Sequence, residues 1–264
     1  MYVSIVDYGT GNLNSVSKAL EVAATKVNKK INIKISNKPK DILDSDKIIL
    51  PGQGSYRQCA LGLKNISGLW DSINEFVLIK KKPIFGICVG MQLFSDQGFE
   101  EEVTKGFGWI KGSVKKIKLN NKDLKLPHMG WNEVNIVKKN DLFLDIKNLS
   151  HFYFVHSYAF EAENINDVVC TTDYEKSVVV ALLKENIFGT QFHPEANEAI
   201  ISRWMGGEGA AELAALGIAP GALIERTRVE IEKSGPAAGE IVDWFLNTVA
   251  VGPLSTVGKS RNVR

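Results

Sequence analysis

Short β-rich runs alternate with helically spaced stretches near the amino terminus of this chain, and that alternation leaves few architectures open. YVSIVD, INIKIS, KIIL and PIFGI read as strands, with SVSKALEVAATKV and LWDSINEFVLIK as helices between them. Parallel strands need such crossovers, and the helices then cover both faces of the sheet. The pattern predicts an α/β fold, a three-layer α/β/α sandwich whose reactive groups sit at the carboxyl ends of its strands. Downstream, WIKGSVKKIKL, FYFVHSYAF, DVVCTTDY, SVVVALLK and IFGTQFH are strand-like with few helical patterns between them. This half predicts an antiparallel or mixed sheet.

At 264 residues and 44% hydrophobic content the chain can bury a full core. A formal charge of +2 sets up no strong field, and no Lys/Arg stripe interleaved with aromatics offers a nucleic-acid surface. No apolar run approaches the ~18 residues of a membrane span, and MYVSIVDYG lacks the basic start and cleavage site of a signal peptide. The expectation is a cytoplasmic protein without membrane or nucleic-acid partners. Cys59, Cys88 and Cys170 form neither a disulfide framework nor a metal pair, so each is expected to be a free thiol. His128, His151 and His156 lack zinc spacing. The first and last of these are read as structural or interface groups, His151 as a surface loop residue, and no metal or cofactor is expected.

One thiol stands apart. In IFGICVGMQ, residues 84–92, Cys88 sits between Gly86 and Gly90 where a strand gives way to the start of a helix. A nucleophile on a sharp strand-to-helix turn needs small neighbours, because the backbone is cramped there, and the N-terminus of the next helix favours a thiolate. A buried cysteine acting as a small hydrophobe fits the same residues. A second element shifts the balance. FGTQFHPE runs a strand into His193-Pro194-Glu195, and a thiol nucleophile needs a base and the base an orienter. Cys88 would attack, His193 would carry the proton, and Glu195 would hold the imidazole.

GICVGMQ together with QFHPE resembles the class I (triad) glutamine amidotransferases. VDYGTGNLNSV, LPGQGSY, PHMGWN and YFVHSYAF, in that order, resemble the branch that forms the glutaminase subunit of imidazole glycerol phosphate synthase. The resemblance spans residues 1 to 195. It implies the flavodoxin-like sandwich of that family, and glutamine as substrate, hydrolysed through a thioester on Cys88. It also implies a cyclase (β/α)8-barrel subunit as heterodimer partner, which uses the ammonia to make imidazole glycerol phosphate and aminoimidazole carboxamide ribotide in histidine biosynthesis. By position it implies oxyanion donors at the backbone amides of Gln53 and Val89, with Gly52 and Gly54 allowing the loop to reorient. Gln92, Glu100 and the segment His156-Ser157-Tyr158 are implied to bind substrate, and Asn12, Asn14 and Trp131 to face the partner. On the residues alone Gln92 and Glu100 would be a solvated helix residue and a surface charge, and PGQG a tight turn.

The chain departs from the family after His-Pro-Glu. Lys-Ser is expected there and Ala196-Asn197 is found, followed by a stretch of different composition. Residues 1 to 195 hold 24 Lys and one Arg, residues 196 to 264 two Lys and five Arg among many Ala and Gly. The division expected is an amidotransferase domain over 1–200, a helical extension over 201–250 that packs on or replaces the last helix, and a disordered tail over 251–264. Helices are expected over NEAIISRWM and GAAELAALG, then in two further pieces beginning near Pro220 and Pro236. The extension resembles the helical C-terminus of other class I amidotransferase-like proteins. A graft and a local bias of one chain both account for it. Other readings remain: an amidotransferase serving a different synthase, in surface-sugar amidation or anthranilate synthesis, or a non-productive binding subunit.

Overall fold

A computed structural model describes residues 1–26, 30–206 and 208–248. The expectation of disorder over 251–264 lies outside the described residues. The first half is built as β1 (Tyr2–Val6), α1 (Leu13–Lys26), β2 (Asn32–Ser36), α2 (Pro39–Asp44), β3 (Lys47–Gly52), α3 (Tyr56–Asn65), α4 (Leu69–Asn74), β4 (Ile84–Cys88) and α5 (Val89–Gln92). Then follow β5 (Gln97–Gly98), β6 (Thr104–Lys105), β7 (Gly112–Lys116), β8 (His128–Ile136), β9 (Ser150–His156), β10 (Tyr158–Ala162), β11 (Val168–Tyr174), β12 (Lys176–Lys184) and β13 (Ile187–Thr190). Three helices close the described chain: α6 (Glu198–Trp204), α7 (Glu208–Leu216) and α8 (Pro220–Asn247).

The α/β reading holds. Strands β2, β1, β3, β4 and β13 lie side by side and parallel. Every residue of β3, β4 and β13 is buried, which is what the unbroken apolar runs KIIL and IFGI require of strands covered on both faces. The right-handed crossover rule places α1 on one face and α2, α3 and α4 on the other, and α8 packs beside α1.

Beyond β13 the sheet turns antiparallel through β12, β10 and β7, with β11, β8 and β9 branching from β12. The run FYFVHSYAF serves both branches. It pairs with β8 up to His156 and with β7 from Tyr158, and Ser157 between them accepts the Ile117 N–H. LWDSINEFVLIK likewise changes character midway, α4 passing into a π-helical turn over Glu75–Ile79.

The C-terminal helices are integral to the packing. Phe245 of α8 is 1% exposed and lies 5.5 Å from Phe85, which stacks on Phe188. A second apolar cluster joins Trp131 and Tyr153 of the sheet to Ile201, Leu213 and Leu223 of the three terminal helices. Instead of the two pieces expected around Pro236, α8 runs unbroken through it. Pro236 cannot donate to the carbonyl of Glu232, and that loss alone would break or kink an isolated helix. Burial of Leu223 and Thr227 before it and of Ala237, Ile241 and Phe245 after it holds both halves against the same core.

Candidate active site

Strand β4 delivers Cys88 to the carboxyl edge of the parallel sheet, paired with Gly52 at the end of β3. Its φ is 54° and ψ is −116°, a region that costs a residue with a Cβ of order 1–3 kcal/mol and turns the side chain off the strand axis. The glycines make room for this turn. A Cβ on Gly90 would stand 1.8 Å from the Leu50 carbonyl oxygen, and one on Gly52 would stand 2.4 Å from the Gly90 nitrogen. The helix expected to follow is a single turn, α5, so stabilisation of a thiolate falls less on a helix dipole than on neighbouring side chains.

His193 and Glu195 follow β13, which lies against β4, and bring the base to the cysteine. His193 Nδ1 donates to Glu195 Oε1 at 2.8 Å, which leaves Nε2 as the nitrogen that can gain and lose a proton. Among the described residues, Nε2 is buried with no protein group other than Cys88 to engage it, and Glu195 Oε2 is buried without a protein partner. Burial works against the imidazolium, but the Glu195 carboxylate and Cys88, both as a charge and as a hydrogen-bond partner, outweigh it and push His193 up to about 10.

Gln191 was not singled out by the sequence, although it lies in QFHPE. It donates its Nε2 hydrogen to Cys88 Sγ at 3.4 Å while its Oε1 accepts from Gln92 Nε2 at 2.8 Å. Gln92 also donates to the Tyr158 carbonyl at 3.1 Å. It is 2% exposed, so the solvated reading of this residue is corrected: Gln92 is a buried link between β10 and the strand end that carries Gln191.

Gln53, Val89, Gln92, Glu100 and the segment 156–158 all line one cavity of about 690 Å³ with Cys88 and His193. Gly54 has φ 90°, and the Gln53 carbonyl accepts from the Cys59 thiol at 3.3 Å. Tyr8 Oη donates to the Pro51 carbonyl, so the 51–54 loop is held at two carbonyls by buried side chains. Glu100 Oε2 accepts the Tyr56 N–H at 2.7 Å, and burial raises its pKa above the usual carboxylate value.

His156 gives its Nδ1 hydrogen to the Tyr158 carbonyl at 2.9 Å, so its Nε2 accepts from His128 Nδ1 at 3.1 Å. His128 Nε2 then accepts from Asn132 Nδ2 at 3.2 Å. Burial lowers His156 to about 4 and His128 to about 3, so both rings are neutral structural groups near pH 7. His151 is not the loop residue expected but a strand residue of β9, paired with Glu133 of β8, with Glu133 Oε1 at 3.4 Å and Glu230 Oε2 of α8 at 2.8 Å. Among the described residues no group of three or more His, Cys, Asp and Glu side chains could hold a metal ion, and no helix is long and apolar enough to cross a membrane.

Of the positions assigned to a partner face, Asn14 is exposed at the start of α1 and Asn12 borders the cavity. Trp131 is separate from them. It is 7% exposed beneath α8, its Nε1 donating to Thr227 Oγ1 at 3.0 Å and its carbonyl accepting from Arg226 at 2.8 Å. The same terminal helices wall the cavity with Arg203, Trp204, Met205, Glu212 and Leu213, none of which the sequence marked as site residues.

The family model described as glutamine amidotransferase class-I matches residues 4–200. The imidazole glycerol phosphate synthase subunit HisH of Pelagibacter ubique is 50% identical over 200 residues, covering 76% of this chain and 95% of that protein. Its counterpart from Mesorhizobium japonicum is 40% identical over 203 residues, covering 76% and 94%. In fold, the chain is similar to a glutamine amidotransferase from Thermotoga maritima with a TM-score of 0.67 at 18% identity, covering 94% of this chain and 99% of that one. The glutaminase domain of Trypanosoma brucei CTPS aligns over 74% of this chain and 86% of its own, with a TM-score of 0.53 at 19% identity. The family match ends at residue 200, within the first turn of α6, and these sequence relatives cover 76% of the chain, whereas the Thermotoga fold spans nearly all of it.

Proposed function

The chain belongs to the class I glutamine amidotransferases, in the branch of the HisH subunits, and we propose that it is the glutaminase subunit of an imidazole glycerol phosphate synthase working through Cys88, His193 and Glu195. The carrying observation is the buried His193 ring, whose Nδ1 is committed to Glu195 and whose Nε2 is left to Cys88, the two groups that together raise it. A ring so placed and so raised can take the thiol proton and keep it for the leaving ammonia.

Cys88 sulfur attacks the side-chain amide carbon of glutamine, forming a C–S bond and an oxyanion. The backbone N–H groups of Gln53 and Val89 are the donors suited to that oxyanion, and each such donor is worth about 3 kcal/mol. His193 passes its proton to the amide nitrogen, the C–N bond breaks and ammonia leaves. His193 then takes a proton from water, whose oxygen attacks the thioester; the C–S bond breaks and glutamate is released. Glu100 and Tyr158 line the same cavity and would hold the amino-acid end. Ammonia would pass to a cyclase (β/α)8 barrel as heterodimer partner, in the cytoplasm.

One observation favours a second reading, in which the ammonia acceptor differs. Trp131 lies under α8 rather than open to a docking subunit. Glutamate release from glutamine, by the chain alone and with a cyclase barrel and its ribotide ligand, separates the two. Strong stimulation by the loaded barrel supports the synthase subunit. Turnover that ignores the barrel keeps the glutaminase and moves the acceptor elsewhere, and no turnover in either case overturns the reading.

A further inference from the structure

We propose that Trp204 is a positioning residue for His193: the C-terminal segment supplies an aromatic wall that holds the imidazole in the orientation joining Glu195 to Cys88. The two rings meet edge to face, centroids 4.8 Å apart and planes at 62°. Trp204 also packs 5.8 Å from Tyr153, whose carbonyl accepts the His193 backbone N–H at 3.0 Å. A histidine bonded at one ring nitrogen still has a broad torsion about its Cβ–Cγ bond, and a ring packed on its flank narrows it. Glu195 fixes one nitrogen and Trp204 the plane.

Trp204 is itself held in place. It is the last residue of α6, a helix capped by Asn197 Oδ1, which accepts the Ile200 N–H at 3.0 Å. The helix is tied to α8 by Arg228, whose Nη2 and Nε reach Glu198 at 2.7 and 3.1 Å. Position 204 lies beyond the 4–200 match to the family, so this wall is a contribution of the divergent segment to a site built by the shared one.

The proposal rests on the glutaminase reading for its catalytic consequence but not for its geometry. Cys88 and Glu195 act directly on His193; His156 is lowered in part by it; and Arg203, Glu212, Glu100 and Tyr158 line the same cavity. A ring free to turn loses Glu195 and Cys88 together, the two groups that raise it.

The test uses the full chain carrying Trp204→Leu, which fills the space without an aromatic face, and Trp204→Phe, which restores one. Leucine is expected to lower kcat roughly 10- to 100-fold with KM changed less than about twofold, and phenylalanine to stay within about threefold of the parent. Histidine-labelled NMR of the four histidines reads the His193 midpoint directly. It should fall from about 10 by about one unit or more in the leucine variant and hold in the phenylalanine variant. A leucine variant with parental kcat and midpoint overturns the proposal. Should that variant fail to fold, 5-fluorotryptophan incorporated at the five tryptophans of the parent decides, with the Trp204 resonance assigned through Trp204→Phe. A Trp204 signal that shifts with the His193 midpoint supports the contact, and a flat one overturns it. Absent glutamine hydrolysis in the parent defeats the glutaminase reading, while the two NMR readouts still decide the positioning.

Discussion

Gln191 Nε2 reaches Cys88 Sγ at 3.4 Å from the carboxyl end of the neighbouring parallel strand, so the thiol has a fixed amide donor as well as a base. The donor is fixed because the other end of the same amide accepts from Gln92, a buried residue of the turn that follows the cysteine. The nucleophile, its turn and the strand end leading to the base are thereby joined in one closed loop of bonds. Gln191→Met should break it. Gln92 would lose an acceptor in a buried position, costing about 1–3 kcal/mol, and a donor to a developing thiolate is worth roughly 10- to 100-fold in kcat/KM. Urea unfolding and glutamine kinetics measure the two losses, and a variant unchanged in both would show the bond to be incidental.

Glu195→Gln keeps the size of the side chain and removes the charge. His193 should then lose the largest favourable influence on its proton, and its midpoint should move down from about 10. Since protonated His193 is needed to release ammonia, the alkaline limb of kcat/KM should move down with it. The amide can also present its N–H to Nδ1 and favour the wrong tautomer, so kcat should fall roughly 10²- to 10⁴-fold. A pH–rate profile with both limbs in place would remove Glu195 from its role.

Cys88→Ala should abolish glutamine hydrolysis with the circular dichroism unchanged. Cys88→Gly should be equally inactive yet more stable than Cys88→Ala, because φ 54° strains alanine and not glycine. The difference expected is about 1 kcal/mol in denaturant unfolding. Equal stabilities would mean the turn relaxes when the sulfur is gone.

The paired histidines set an acid limit on stability. Both are lowered on folding, to about 3 and about 4, so the folded state binds fewer protons than the unfolded chain. Their contribution is present above pH ~6.5 and is lost as the pH falls towards those values. By pH 5 the loss is about 2 kcal/mol per histidine. His156→Gln can still donate to the Tyr158 carbonyl and accept from His128 but cannot titrate. Between pH 7 and pH 5 it should lose about 2 kcal/mol less stability than the parent, and parallel losses would place the acid sensitivity elsewhere.

What the sequence made legible follows the range of its signals. Unbroken apolar runs marked the buried parallel strands, and two glycines and a proline marked the turns of Cys88 and His193, because those are local demands of backbone and burial. Gln191 could have been found from its place in QFHPE, two residues before the base, directly after β13 beside the cysteine strand. The split of FYFVHSYAF at Ser157 could not, since each half is strand-like and only the partners differ. Trp204 and the burial of Trp131 depend on where the terminal helices dock, and no local pattern carries that. Pro236 misled because its helix-breaking tendency is local, whereas the packing that overrides it is not.

That docking makes a last claim about domain organisation. A dispensable extension over 201–250 would tolerate loss of its apolar contacts, whereas α8 places Phe245 against Phe85 in the main core and its last carbonyls against the buried Lys47 ammonium. Lysine is rarely buried unless paired, and here the partners come from a helix almost two hundred residues away in sequence. Phe245→Ala should therefore cost about 3–5 kcal/mol, as for an aromatic removed from any closely packed core, and unfolding should remain a single transition. A cost below about 1 kcal/mol, or a separate early transition, would instead make the C-terminal helices an independent unit resting on a complete domain.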